Sequence, residues 1–406
     1  MHKRYNKYTN QHLFRCFSLS FLALSITSQA TTSEALSFTP IQRLTLHYGH
    51  DAAMGDLDGD GDIDIVVAIR STSVSSKILL NDGKGFMQEK KSVDIPGDTY
   101  AIELFDADQD NDLDIITGNL NKHTNQLWLN DGAANFTLSP QHFVFPSTFS
   151  TMDVIAADLN NDKFSDLIFA NVNGPNSVWF NRGQAQFEPS KQSLGNNGST
   201  SVAAADLDND GDKDLVFANI SNIQTTGHHN QIWLNSGSGR FTPGRAFDGS
   251  DSRGIAIGDM DGDGLKDFVI ANSVNQYGEG SSQIFLNAED MNLKRIEQVL
   301  DSPRHFAYDV ALYDVDNDTD LDVYLSFSGA RGDALFLNKG DGLLENSGLK
   351  LDHNTLTFKT LINDFNGDGI ADIFSVNGFS QSVMRLGQTS NLQHVAKKKP
   401  VTGSRQ

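Results

Sequence analysis

Carboxylates recur through this chain at a spacing that suits one metal ion at a time. The form Asp-x-Asp/Asn-x-Asp-x-x-x-Asp begins at Asp56, Asp106, Asp158, Asp206, Asp259, Asp314 and Asp364. Calcium takes six to eight hard oxygens at roughly 2.3–2.6 Å. Carboxylates at positions 1, 3 and 5 of a tight loop converge on one ion. Position 7 then adds its backbone carbonyl, and position 9 a further carboxylate. In the first loop these are Asp56, Asp58, Asp60, the Asp62 carbonyl and Asp64. The second has Asp106, Asp108, Asp110, Asp112 (carbonyl) and Asp114; the third Asp158, Asn160, Asp162, Phe164 (carbonyl) and Asp166. The fourth has Asp206, Asp208, Asp210, Asp212 (carbonyl) and Asp214; the fifth Asp259, Asp261, Asp263, Leu265 (carbonyl) and Asp267. The sixth has Asp314, Asp316, Asp318, Asp320 (carbonyl) and Asp322; the seventh Asp364, Asn366, Asp368, Ile370 (carbonyl) and Asp372. Up to seven Ca²⁺ are therefore expected.

Position 6, where such a loop turns most sharply, holds Gly61, Gly211, Gly264 and Gly369, but Asn111, Lys163 and Thr319 in the other three loops. An EF-hand needs Glu at position 12. Here that position holds Val67, Thr117, Phe169, Phe217, Ile270, Leu325 and Ser375, so the EF-hand is excluded. A set of solvated Asp/Gly turns is the bland alternative, and seven loops in register weigh against it.

The loops follow one another at 50, 52, 48, 53, 55 and 50 residues, a period that signals stacked structural units. Each unit has the same order. Ala52-Ala53-Met54 leads into the first loop, and Ile65-Val66-Val67-Ala68-Ile69 follows it. Lys77-Ile78-Leu79-Leu80, the turn Asn81-Asp82-Gly83 and a run opening at Phe86 complete the unit. Short β-rich runs between turn residues, with an Asn-Asp-Gly hairpin signal, predict four antiparallel strands, A to D, with the acidic loop joining A to B. Gln126-Leu127-Trp128-Leu129-Asn130 and Gln231-Ile232-Trp233-Leu234-Asn235 repeat strand C. Four-stranded units at this period predict an all-β, seven-bladed β-propeller spanning residues 36–388. The last unit lacks a convincing fourth strand. Ser37-Phe38-Thr39-Pro40 mirrors the strand D opening Arg240-Phe241-Thr242-Pro243, so the N-terminal strand is expected to close the last blade and remove exposed sheet edges.

Residues 1–30 read as a secretory signal peptide: Lys3, Arg4, Lys7 and Arg15, an apolar run from Phe14 to Ile26, then Ser28-Gln29-Ala30. The lone Cys16 leaves with it, so metal is the obvious staple for an exported chain without disulfides. The whole chain carries a net charge of −21, and loss of the four basic leader residues takes it near −25. Such a charge argues against nucleic acid or anionic lipid as partner, and bound calcium would offset much of it. No later stretch is apolar enough to span a bilayer, and residues 389–406, with Lys397-Lys398-Lys399, read as a solvated polar tail.

These units resemble the FG-GAP/VCBS repeats of bacterial exported proteins and are similar to the seven-bladed propeller of integrin α chains. The resemblance covers roughly Phe38 to Gly387. It implies that the acidic A–B hairpins bind Ca²⁺ on the lower face of a propeller through the positions named above. Two departures stand out. All seven units carry the loop, whereas integrin propellers use only some, and the Phe-Gly and Gly-Ala-Pro signatures are absent. Integrin-like heterodimer assembly does not follow, and a monomer is expected.

The upper face collects the D–A and B–C connections, where recognition usually resides. Strand A enters there at Asp51, Ala101, Asp153, Ser201, Gly254, Asp309 and Lys359, each preceded by His50, Tyr100, Met152, Thr200, Arg253, Tyr308 and Phe358 in turn. Asp51, Tyr100, Asp153, Arg253, Tyr308 and Asp309 should therefore line one mouth of the channel. Aromatics beside carboxylates suit a sugar or a peptide; the alternative is that they only solvate a rim. The long B–C loops contain His228-His229 and Tyr277, and the histidines read as polar loop residues rather than ligands. Arg331-Gly332-Asp333 copies the tripeptide that integrins bind, and reads as accidental. There is no nucleophile elbow, phosphate loop or His/Glu zinc motif.

The expectation is an exported, calcium-stabilised, non-enzymatic propeller that binds a glycan or protein. The runner-up is a polysaccharide lyase or hydrolase, for which Asp153, Asp309, Arg253 and His305 are the candidates; an envelope scaffold is third.

Overall fold

The computed structural model describes residues 36–389 apart from 91–94, 96–97, 121–122, 146–148, 196–197, 221–228, 248–250, 274–279, 289–290, 301–305, 330–331, 350 and 352–354. The expected leader, residues 390–406 of the expected tail, His228, Tyr277, His305 and Arg331 thus lie outside the described residues, while Thr389 still belongs to a strand. Among the described residues there is no α-helix, and hence no helix long and apolar enough to cross a membrane.

Strand β1 (Leu36–Leu44) precedes the first sheet, which holds β2 (Gly49–Gly55), β3 (Asp64–Ile69), β4 (Lys77–Asn81) and β5 (Met87–Lys90). The second sheet holds β6 (Thr99–Phe105), β7 (Asp114–Asn119), β8 (Gln126–Leu129) and β9 (Thr137–Leu138). The third holds β10 (Thr151–Ala157), β11 (Asp166–Asn171), β12 (Ser177–Asn181) and β13 (Phe187–Pro189). The fourth holds β14 (Ser199–Ala205), β15 (Asp214–Asn219), β16 (Asn230–Asn235) and β17 (Phe241–Phe247). The fifth holds β18 (Asp251–Gly258), β19 (Asp267–Ser273), β20 (Gln283–Leu286) and β21 (Lys294–Ile296).

The remaining strands form one 8-stranded sheet made of two antiparallel paths. One path runs through β22 (Phe306–Tyr313), β23 (Asp322–Gly329), β24 (Ala334–Asn338) and β25 (Leu344–Asn346). The other runs through β26 (Thr355–Asn363), β27 (Asp372–Asn377), β28 (Ser382–Thr389) and β1. They join where Ser328 and Gly329 of β23 pair with Leu356 and Thr355 of β26. Strand β1 runs antiparallel to β28, from Leu36 opposite Thr389 to Leu44 opposite Ser382. The first strands β2, β6, β10, β14, β18, β22 and β26 touch in that order, and β26 touches β2. These are sheets arranged like propeller blades.

Every residue of β3, β7, β11, β15, β19 and β27 is buried, because each second strand is covered on both faces. Side chains alternate between the two faces of a strand. Thus Leu167 and Phe169 pack toward the second sheet, whereas Ile168 and Ala170 pack toward the fourth. The core is a set of layers between neighbouring sheets rather than one central cluster.

Buried amides stitch those layers. The Nδ2 of Asn130 donates to Leu57 O, Asn181 to Ala107 O, Asn235 to Leu159 O, Asn287 to Leu207 O and Asn338 to Met260 O. Each bond crosses from the end of a third strand to the acidic loop of the preceding sheet. Asn81 reaches Phe365 O in the same way and joins the first sheet to the last. Gly387 occupies the equivalent place on β28, and a Cβ there would lie 2.2 Å from Ala371 O. That joint lacks the amide and has the β23–β26 pairing instead. Glutamines add outer clasps. Gln42 donates to Met87 O and accepts from Met87 N, and Gln141 treats Phe187 likewise.

Removing one buried amide leaves a loop carbonyl unpaired, which costs about 1–3 kcal/mol. Asn235→Ala is expected to lower the unfolding free energy by that amount in denaturant titration. Asn135→Ala, at an exposed turn, should stay within about 0.5 kcal/mol.

Candidate functional site

Each acidic loop is the hairpin between the first and second strands of its sheet. Position 1 folds back over its own loop: Asp56 Oδ1 accepts from Gly59 N at 2.8 Å and Oδ2 from Gly61 N at 3.0 Å. Asp259 repeats this with Gly262 and Gly264. Two left-handed residues per loop make the wrap possible. Gly61, Gly211, Gly264 and Gly369 have φ between 83° and 94°, and Asn111, Lys163 and Thr319 adopt 73°, 72° and 82° at the same position. The loops without glycine therefore keep the same shape. Position 4 is left-handed as well, from Gly59 at 77° to Asn317 at 58°, a requirement the sequence reading missed.

Position 9 is the anchor. Asp64 Oδ2 accepts from Leu57 N at 2.9 Å and Oδ1 from Asn81 N at 2.8 Å. Asp114, Asp166, Asp214, Asp267, Asp322 and Asp372 each tie position 2 of the loop to the third strand in the same way. The side chains at position 7 lie elsewhere. Asp62, Asp112, Asp212 and Asp320 lie against Gly83, Gly132, Gly237 and Gly340 of the next turn, where a Cβ would meet a carboxylate oxygen at 2.5–2.8 Å. Phe164 takes that place against Gly183.

In five loops three carboxylates bring ligand atoms within 4.8 Å of one another: Asp56, Asp58 and Asp64; Asp106, Asp108 and Asp114; Asp206, Asp208 and Asp210; Asp259, Asp261 and Asp263; Asp314, Asp316 and Asp322. The third and seventh loops have Asn160 and Asn366 at position 3, which removes one carboxylate from each. The chemistry of the donor set fits a hard cation. Buried Oδ1 atoms of Asp58, Asp206 and Asp316 have no hydrogen-bond partner. Burial, then the neighbouring loop carboxylates, push Asp58, Asp108, Asp208, Asp261 and Asp316 above the ordinary carboxylate range. A divalent cation would relieve both penalties. These clusters can hold a metal ion.

At the other end of the first strands, the structure brings together all six side chains that the sequence assigned to a channel mouth. Asp51, Tyr100, Asp153, Arg253, Tyr308 and Asp309 line a constriction of about 70 Å³ with His50, Phe358 and Lys359. Part of their role is structural. Asp51 accepts from Ile102 N, Asp153 from Val202 N and Asp309 from Thr360 N, each an amide of the next first strand, at 2.8–3.0 Å. Lys359 Nζ sits 3.3 Å from Asp309 and 4.0 Å from Asp51, and these acids hold its amine protonated. Arg253 pairs with Asp251 at 2.9 Å and lies 6.0 Å from the Tyr308 ring centroid.

Below the constriction lies a chamber of about 340 Å³. It contains Glu103, which sequence reasoning missed. Burial first, then Asp153 and Asp51, push its carboxyl up to about 8, and burial raises Asp153 to about 7. Strand alternation could have found it, since Glu103 stands two residues beyond Ala101 on the same face of β6. The tripeptide ending at Asp333 is not a free recognition motif: Asp333 is buried and accepts from Tyr324 OH and Phe327 N. His229 offers its carbonyl to Asn219.

The fold and its hairpin loops define a repeat β-propeller with candidate metal sites. The model of the FG-GAP-like repeat matches residues 56–117, 106–169, 158–217 and 259–325, more than half of the chain. The chain belongs to the FG-GAP-like repeat family. No curated protein matches it significantly in sequence. Among solved structures it is similar to an Agrocybe aegerita lectin described as specifically recognising non-reducing terminal N-acetylglucosamine. That likeness has a TM-score of 0.53 and 17% identity, over 83% of this chain and 87% of the lectin. It is also similar to a chain in crystals of BBS1N in complex with ARL6DN, soaked with lead or mercury. There the TM-scores are 0.56 and 0.58 at 9% identity, over 86% of this chain and 96% of that one. At these identities the likeness concerns the fold.

Burial raises the position 9 carboxyls to between about 6 and about 7 despite two amide bonds each. Between the ordinary value of 3.8 and these values the metal-free fold binds protons that the unfolded chain has released. Stability is then lost as pH rises through that window. Tm of the metal-stripped protein is expected to fall from pH 5 to pH 8, and saturating divalent cation should remove most of that slope. A rising Tm in the stripped protein would contradict the burial argument.

Proposed function

We propose that the chain is an exported, calcium-stabilised, seven-bladed propeller that binds a glycan or a protein surface at its channel mouth without cleaving it. The observation carrying this reading is the separation of two sites along the first strands. The hard-oxygen loops lie at one end, and aromatic and charged side chains converge at the other. Calcium is the reading for the loops because all-oxygen donor sets suit it better than softer metals. In each loop the side chains at positions 1, 3, 5 and 9 and the position 7 carbonyl would hold the ion, which supplies positive charge and cross-links the hairpin. N-terminal strand β1, as fourth strand of the last blade, would fasten the ring.

The mouth supports binding more than catalysis. Asp153 and Asp309 are committed to backbone amides of neighbouring strands. The hydrolase or lyase reading draws on Glu103 and Asp153, two carboxyls with raised proton affinity in one chamber.

An ion at ten times its Kd adds roughly 1.4 kcal/mol, so seven sites contribute on the order of 10 kcal/mol. EDTA is expected to lower Tm by more than ~10 °C, recoverable with Ca²⁺. Polysaccharides and matrix proteins presented to the mature chain should be retained with calcium, released by EDTA, and gain no new chain ends. New ends that vanish in Glu103→Gln would establish the enzyme instead.

A further inference from the structure

Between the last and first sheets, beside the channel mouth, a second cavity of about 280 Å³ is lined by Tyr48, His50, Arg70, Phe358, Gly378 and Phe379. Its volume is at the lower edge of the range for small-molecule sites, roughly 300–1,000 Å³. It differs in kind from the mouth, since no carboxylate lines it. Phe379 is 73% exposed and Tyr48 48% exposed, and their rings meet edge to face with centroids 6.3 Å apart. Phe358 lies behind them, stacked on His50 at 4.5 Å. Gly378 makes this packing possible, since a Cβ there would lie 2.4 Å from the Phe358 ring.

Tyr48 holds its ring there at a conformational cost. Its φ is 67°, a left-handed value that bulky residues adopt under strain. The same place before β6 and β14 is taken by Asp98 and Gly198, with φ of 69° and 74°, residue types that tolerate it. The backbone of Tyr48 is clamped from both sides, its N–H donating to Gly378 O and its carbonyl accepting from Arg70 N. A strained aromatic, half exposed over a cavity, is the pattern of a residue kept for contact with a ligand.

One polar group defines what that ligand carries. The Arg70 guanidinium is exposed, lies 5.6 Å from the Tyr100 ring centroid, and makes no ion pair among the described residues. His50 donates through Nδ1 to the Tyr100 carbonyl at 3.0 Å and packs between Tyr100 and Phe358, so it builds the wall of the cavity. Aromatic faces suit the apolar face of a pyranose ring, and the unpaired guanidinium suits a carboxylate. The chain's charge of −21 opposes the approach of a polyanion. We propose that this cavity is a subsite for a single carboxylated sugar at the end of a glycan, held by Tyr48, Phe379 and Arg70. The inference rests on the glycan-binding reading above and names the sugar class that reading leaves open.

The test uses the mature chain with Ca²⁺ and two probes, methyl β-glucuronoside and methyl β-glucoside, titrated by saturation-transfer NMR. The glucuronoside is expected to bind at least tenfold more tightly than the glucoside, and Arg70→Gln to erase that difference. Phe379→Ala and Tyr48→Gly should each weaken glucuronoside binding about tenfold. Tyr48→Gly also relaxes the left-handed backbone, so its Tm should stay near that of the parent and a loss of binding is not a loss of fold. Equal binding of the two sugars overturns the proposal, as does glucuronoside binding indifferent to these variants. Glycans retained at the mouth under either of those results leave the wider reading standing. Failure of the parent chain to retain any sugar, glycan or matrix protein overturns both.

Discussion

One carboxylate per repeat, at the ninth loop position, sustains most of this architecture. In Asp64 and its six counterparts, one oxygen fixes the start of the acidic hairpin and the other fixes the end of the third strand. For six of these seven carboxylates the next link belongs to the asparagine whose own N–H is held by that second oxygen. Its side chain reaches across to the preceding loop, so a local hairpin, a strand end and a neighbouring sheet share one hydrogen-bonded chain. Buried carboxylates are costly unless their lone pairs are satisfied. Here the satisfaction comes from backbone amides, and the raised proton affinity of these groups measures how much of the burial cost remains.

That residue of cost explains why the acidity is concentrated as it is. Positions 1, 3 and 5 crowd further carboxylates around the anchor, some with buried oxygens that find no protein donor. A fold that relied on these loops without a cation would hold like charges together for no return. With a divalent ion, the same crowding becomes a cross-link within each hairpin, one that a chain with a single cysteine cannot make by an internal disulfide.

The mouth obeys a related economy. Asp51 and Asp309 each give one oxygen to the next first strand and turn the other to Lys359, whereas Asp153 accepts from Val202 N with one oxygen and from Val154 N with the other. The same side chains therefore position the strands and set the electrostatics of the opening. Beside them Tyr100, His50 and Phe358 form a stack, and Tyr48 is held in a left-handed turn.

The sequence by itself determined the repeat, the strand order and the loops, because those depend on contacts within about fifty residues. Asp-x-Asp spacing and hairpin turns are local chemistry. The apolar runs inside the second strands, such as Leu167 to Ala170, likewise announce burial on both faces. It also placed Asp51, Tyr100, Asp153, Arg253, Tyr308 and Asp309 together, since equivalent positions in a repeat array must share a ring. Only the tertiary structure decided what depends on neighbours distant in the chain. The amide of Asn81 finding Phe365 and the pairing of β23 with β26 beside Gly387 are of this kind. So are the commitment of mouth carboxylates to adjacent strands, the chamber around Glu103, and the cavity where Tyr48 meets Phe379. Periodicity says which face a side chain takes; which atom it meets is settled by the packing of one sheet against the next.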